Sequence, residues 1–253
     1  MIGIYTLRNR PDIQRLFIGI FILFAASTAQ AELRPFKLQY QAENDFISAG
    51  TATLSLVKEQ RGWVMRLATS PSTLVRMAGV GKIVETTLLS ANEPPFKAVS
   101  YSYNDSKRKR KSFSAVRTNS GENIVITRSD QTITVSTSDQ IVSDRLSAIL
   151  AVAKELYLKP NFKTLDFTVL DRNGVRKLVF KNLGLQSINL GDSSIDTYVV
   201  ESGRPGSSRT TRTWFASLDK TLEKQIPLPV KIEQYKNDDL IVRLSLVESL
   251  IQE

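Results

Sequence analysis

The chain contains neither histidine nor cysteine, so carboxylates are the side chains best placed to do acid–base chemistry. That composition removes Ser-His-Asp and Cys-His nucleophilic machinery, together with any histidine-ligated zinc, iron or copper site. Carboxylate, lysine, tyrosine or serine-lysine chemistry is what remains. A glycosidase-type pair needs two carboxylates about 5–10 Å apart across a cleft. Glu43 and Asp45 share a strand face by their spacing, and Asp166 and Asp171 bracket a second run. Asp171, Asp238 and Asp239 stand in turn contexts, where Asp serves local geometry by bonding to nearby backbone. No pair is singled out, so no catalytic residue is assigned, and the reading calls for no cofactor and no metal.

Binding offers stronger signals. Lys107-Arg108-Lys109-Arg110-Lys111 places five consecutive cations one residue beyond Asn104-Asp105. Successive strand residues alternate faces, so these five project from a hairpin tip. They suit contact with anionic lipid or lipopolysaccharide, at about 1 kcal/mol per cation near a charged surface. The same residues also fit a solvated loop that keeps a sheet edge from pairing.

Ser70 to Gly81 is apolar but bounded by Pro71, Gly79 and Gly81. Leu74, Val75, Met77 and Val80 are expected either as a mobile flap over a hydrophobic cavity or as a short helix or loop packed on the core. Trp63, Tyr101, Tyr103 and Trp214, with Phe215, could line a lipid pocket or stack on sugars. Aromatics alternating in strands also simply fill cores.

The elements that position these residues are mostly short alternating runs broken by turns, which predicts antiparallel β structure. Phe36, Leu38 and Tyr40 alternate with Lys37 and Gln39, and Ala52, Leu54 and Leu56 with Thr51, Thr53 and Ser55. Further strands are expected at 63–68, 82–90, 99–103, near Ile124 and Ile133 around a Ser129-Asp130 hairpin, and at 165–169. Asn173-Gly174 predicts a hairpin with a return strand over 175–182. Runs at 195–201, 210–216, 230–235 and 240–250 complete about a dozen.

One segment breaks the alternation. Leu146, Ile149, Leu150, Ala153, Leu156 and Tyr157 fall on one helical face. The spacing predicts a helix over 143–158, with Ser143 as N-cap and Lys159-Pro160 as its stop. The expected fold is mainly β: a large curved antiparallel sheet, a half-open barrel, wrapped around that one helix.

The N-terminus reads as an export signal. Arg8, Arg10 and Arg15 precede the uncharged run Leu16–Ala26, and Ala29 and Ala31 form an A-x-A site, so cleavage is expected after Ala31. The run has 11 residues, against about 20 needed to span a bilayer. A single periplasmic domain of 222 residues, 32–253, follows. Removing three arginines and one aspartate from 34 basic and 25 acidic residues leaves 31 and 24, a net +7. That charge favours anionic neighbours, while export argues against nucleic acid.

The chain resembles the exported bacterial domain-of-unknown-function family 3108. The likeness rests on Phe36-x-x-x-Tyr40 with Gly50, the Pro95-Phe96-x-x-x-x-Tyr101-x-Tyr103 run, the helix Asp144–Tyr157, Thr213-Trp214-Phe215-Ala216 and Leu228-Pro229-Val230-Lys231-Ile232-Glu233. It differs in the last hairpin, where Asn237-Asp238-Asp239 replaces an expected glycine. The resemblance implies a periplasmic location and an architecture similar to the half-open barrels of lipoprotein carriers, and it carries over no catalytic residue. The expected role is therefore a non-catalytic, monomeric binding module for an amphipathic envelope ligand: lipid, lipoprotein acyl chain or lipopolysaccharide, with peripheral membrane contact. The alternatives are a carboxylate-based glycan enzyme and an envelope scaffold that binds a protein partner.

Overall fold

Alternation at the start of the domain decides the first layer. In Phe36–Glu43 (β1), Phe36, Leu38, Tyr40 and Ala42 are buried, while the residues between them face outward. β2 (Ser48–Glu59) repeats the pattern with Ala52, Leu54 and Leu56. The computed structural model describes residues 33–44, 47–90, 97–118, 120–137, 142–218 and 225–251. The expected export signal, Asp45 and Pro95-Phe96 lie outside the described residues.

After β2 come β3 (Gly62–Pro71), a five-residue helix α1 (Thr73–Met77), β4 (Ile83–Ser90), β5 (Ala98–Asp105), β6 (Phe113–Arg117), β7 (Asn123–Arg128), β8 (Thr132–Ser136) and the two-residue β9 (Val142–Ser143). Helix α2 (Arg145–Leu158) follows, then β10 (Thr164–Asp171), β11 (Gly174–Leu190), β12 (Ser193–Gly203), β13 (Arg209–Ala216), β14 (Leu228–Lys236) and β15 (Asp239–Ile251). All fifteen strands form one sheet, running from β8 back to β1, across to β15, and back again to β9. Its strands pair antiparallel except for the β9–β10 contact. The β1–β15 pairing joins the two ends of the domain in the middle of the sheet, with Tyr40 Oη donating to the Pro229 carbonyl at 2.6 Å. The sheet is curved but unclosed, with β8 and β9 as its edges.

Helix α2 fills the concave face. Leu146, Ala148, Leu150, Val152, Ala153 and Leu156 are buried, more than the single apolar stripe that the spacing predicts, because strands surround the helix. A smaller cluster of Tyr101, Ala115, Ile124, Ile126, Val142 and Leu170, with Ile133 and Val175 against it, packs the two edges of the sheet together. Beneath the N-terminus of α2 lies a hollow of about 10 Å³, room for about one water.

Four expectations change in detail. Asp144, not Ser143, caps α2: its carboxylate accepts from the Leu146 and Ser147 amides at 2.8 and 3.0 Å, and Ser147 Oγ accepts from the Asp144 amide. A carboxylate also complements the helix dipole, which a hydroxyl does not. In the β10–β11 hairpin, Arg172 and Asn173 form the loop, and Gly174 opens β11 opposite Asp171. β11 continues through Leu190 rather than ending at Asn182, because the register shift between Asn182 and Gly184 absorbs what reads as a break. The last hairpin needs no glycine: Asn237 and Asp238 adopt φ of 51° and 68°, positions these short polar residues tolerate.

Candidate functional site

Two connections meet at one end of the sheet. β3 leads through α1 into β4, and β4 pairs with β5 so that Ile83 lies opposite Asp105. The linker at 71–82 therefore emerges beside the linker at 106–112. They are tied reciprocally: the Ser106 amide donates to the Lys82 carbonyl at 3.0 Å, and the Lys82 amide donates to Ser106 Oγ at 2.8 Å. The two linkers carry seven cations, Arg76 and Lys82 in one and Lys107 to Lys111 in the other, and no acid.

Asp105 organises the basic linker. Its Oδ1 accepts from the Lys107 and Arg108 amides at 3.1 and 2.9 Å, and Oδ2 takes the Arg108 Nε at 2.9 Å. Burial pushes its carboxyl up, but these donors outweigh that and hold it below the usual carboxylate range. Lys109–Lys111 then make one 3₁₀ turn. Lys107, Lys109, Arg110 and Lys111 are exposed, with no acidic partner among the described residues.

Beside this cationic turn, α1 buries none of its residues. Leu74 is 66% and Met77 81% exposed, while Val75 and Val80 are half-buried. Leu74 and Met77 thus point outward next to the cations. Together they make an apolar knuckle bordered by positive charge.

Behind the knuckle, α2 is locked to the sheet by a buried polar network. Glu85 and Thr87 of β4 face inward. Glu85 accepts from Tyr101 Oη at 2.6 Å and from Arg145 through Nε (3.2 Å) and Nη2, and Thr87 donates to the Asp144 carboxylate at 2.8 Å. Burial first, then the Glu85 charge, drives the Tyr101 phenol upward, and burial likewise raises Asp144. Arg145 is half-exposed at its open side and lies 5.5 Å over the Tyr103 ring, which stacks on Phe113.

The other sequence-predicted residues are dispersed. Trp63 sits at the opposite end of the sheet under Lys58. Trp214 is buried, donating from Nε1 to Gln186 at 2.9 Å beneath Lys231. Tyr101 is core, and only Tyr103 reaches the end that carries α1. The carboxylates considered for catalysis are paired with cations: Asp166 with Lys177, Asp171 with Arg176, and Glu43 near Arg243. Among the described residues, no group of His, Cys, Asp or Glu side chains is placed to hold a metal ion, and no helix is long and apolar enough to cross a membrane.

The sequence pattern puts Thr87 on the alternating face of the 82–90 strand but singles out neither Glu85 nor Arg145. For Glu85 the signal is a charged residue in the alternating run 83–90 at a position the period assigns to the core.

The model of a family described as "Protein of unknown function (DUF3108)" matches residues 36–241. No curated protein matches the chain.

Proposed function

We propose, from the premise that the chain belongs to the DUF3108 family of unknown function, that it is a non-catalytic envelope module that docks on an anionic amphipathic surface. Phospholipid and lipopolysaccharide leaflets share the needed chemistry, an apolar interior beneath phosphate-bearing headgroups. One observation carries the reading: the exposed apolar residues of α1 and the cationic turn are held side by side by the Lys82–Ser106 hydrogen bonds. An apolar side chain gains about 1.5–3 kcal/mol on full burial, and each cation near an anionic membrane about 1 kcal/mol. Neither part alone anchors a protein stably, whereas the pair combines the two signals that peripheral attachment requires. The interior supports surface docking over deep capture of a chain, since α2 occupies the concave face. An export signal at residues 1–31 would deliver such a module to the periplasm.

Sedimentation with vesicles tests this, using purified protein whose N-terminus is fixed by intact mass. Phosphatidylglycerol-containing vesicles should pull the protein down in a salt-sensitive way, and phosphatidylcholine vesicles should not. The double variant L74E/M77E and neutralisation of Lys109, Arg110 and Lys111 to Gln should each abolish most of the binding. Wild-type protein left in the supernatant with anionic vesicles overturns the proposal.

A second reading, an envelope scaffold that grips a protein partner along a sheet edge, has one observation in its favour. β8 ends the sheet with Thr132-Ile-Thr-Val-Ser136, which carries no charge of the kind that discourages strand addition.

A further inference from the structure

Sulfur is a readily oxidised atom, and this chain holds it only as thioether, having three methionines and no cysteine. Met1 lies outside the described residues. Met65 of β3 is wholly buried in the main core. Met77, the last residue of α1, is 81% exposed. Susceptibility to oxidation follows exposure, so a dissolved oxidant meets Met77 well before Met65. The surroundings keep that sulfur open. α1 buries none of its residues, and two positions further on a Cβ at Gly79 would meet nothing within 4 Å.

The apolar half of the docking surface is also small. Leu74 and Met77 are its strongly exposed members, whereas Val75 and Val80 are half-buried. Oxidation to the sulfoxide turns one of those two from a flexible apolar side chain into a polar one. A polar group without a hydrogen-bond partner costs free energy on leaving water, where the thioether gains it. The neighbouring cations of Lys107–Lys111 keep their charge. Attraction to an anionic surface therefore persists while insertion fails. Stable peripheral attachment needs both signals, so one added oxygen separates them.

We propose that Met77 is an oxidation site whose sulfoxide releases the protein from an anionic membrane. The oxidant is a hydroperoxide, of which hydrogen peroxide is the simplest. The sulfur lone pair takes one peroxide oxygen, the O–O bond breaks, and the proton on the transferred oxygen passes to the departing hydroxide. The thioether is oxidised by two electrons and the peroxide is reduced to water. Sulfoxide reductases reverse the change. The site stands on the exposure of Met77 against Met65, and its effect rests on the docking reading above.

Peroxide treatment of the purified protein, followed by peptide mapping and vesicle sedimentation, tests both parts. The first oxygen should appear at residue 77 while the protein stays folded. Binding to phosphatidylglycerol-containing vesicles should then fall about tenfold or more. Methionine sulfoxide reductase should restore it. M77L, whatever its own affinity, should not respond to peroxide. M65L, a volume-conserving core change, should respond as the wild type does. Oxidation of Met65 before or together with Met77 overturns the site. Unchanged binding by protein oxidised at residue 77, or a loss that persists in M77L, overturns the release. Untreated protein that stays in the supernatant overturns the docking reading and the release with it, while the oxidation map still decides the site.

Discussion

Gly81 lies against the backbone of Lys107: a Cβ at position 81 would sit 2.7 Å from the Lys107 nitrogen and 2.9 Å from Asp105 Oδ1. No real Cβ approaches this closely, so the α1 linker and the cationic linker are packed together backbone to backbone. Gly81→Ala should force them apart, at about 1–3 kcal/mol by the usual cost of overpacking. Thermal unfolding should register the loss, and vesicle binding should fall with it. Gly79→Ala is the control, because a Cβ there meets nothing within 4 Å, although its φ of +84° adds some strain of its own.

Acid should loosen the cationic turn. The Asp105 carboxyl is held below its ordinary value, so the stability it confers is present above the unfolded carboxylate pKa of about 3.9 and is lost as pH falls through the folded value. The protection of the Lys107 and Arg108 amides against hydrogen exchange, relative to their intrinsic rates at each pH, should fall over that acid range, since both are bound to Asp105. In Asp105→Asn these amides should exchange faster at neutral pH and lose that acid step.

Glu85 and Arg145 should respond unequally to truncation. Arg145→Ala leaves a buried carboxylate with Tyr101 as its remaining donor among the described residues, whereas Glu85→Gln leaves a guanidinium that is already half in solvent. An unsatisfied buried group costs about 1–3 kcal/mol, more if charged. Arg145→Ala should therefore be the more destabilising change in denaturant unfolding, and Glu85→Gln the milder one.

Leu150 of α2 is 2% exposed at the centre of the core. Leu150→Ala should cost about 2–5 kcal/mol while leaving vesicle binding intact in the fraction that stays folded. Loss of binding in folded Leu150→Ala protein would show that α2 contributes more than packing.

Local patterning made most of the fold legible. The alternation in β1 and β2 and the apolar face of α2 name core residues correctly, since burial selects them one face at a time. Topology was only partly legible. Nothing in residues 36–43 or 239–251 announces that they pair, because that pairing depends on side-chain fit between runs two hundred residues apart. The site divides in the same way. Lys107–Lys111 and the 70–81 segment are continuous in sequence and could be seen, but their contact through Gly81, Lys82 and Ser106 could not.

The most direct test of surface docking is the environment of residue 77. The chain has no cysteine, so M77C and, on the β2–β3 turn at the opposite end, R61C each accept one environment-sensitive fluorophore. With phosphatidylglycerol-containing vesicles, the label at 77 should shift to the blue and become shielded from an aqueous quencher, while the label at 61 stays in water. With phosphatidylcholine vesicles neither should change. A label at 77 that remains as wet as the one at 61 on anionic vesicles would contradict the proposal that this end of the sheet meets the membrane.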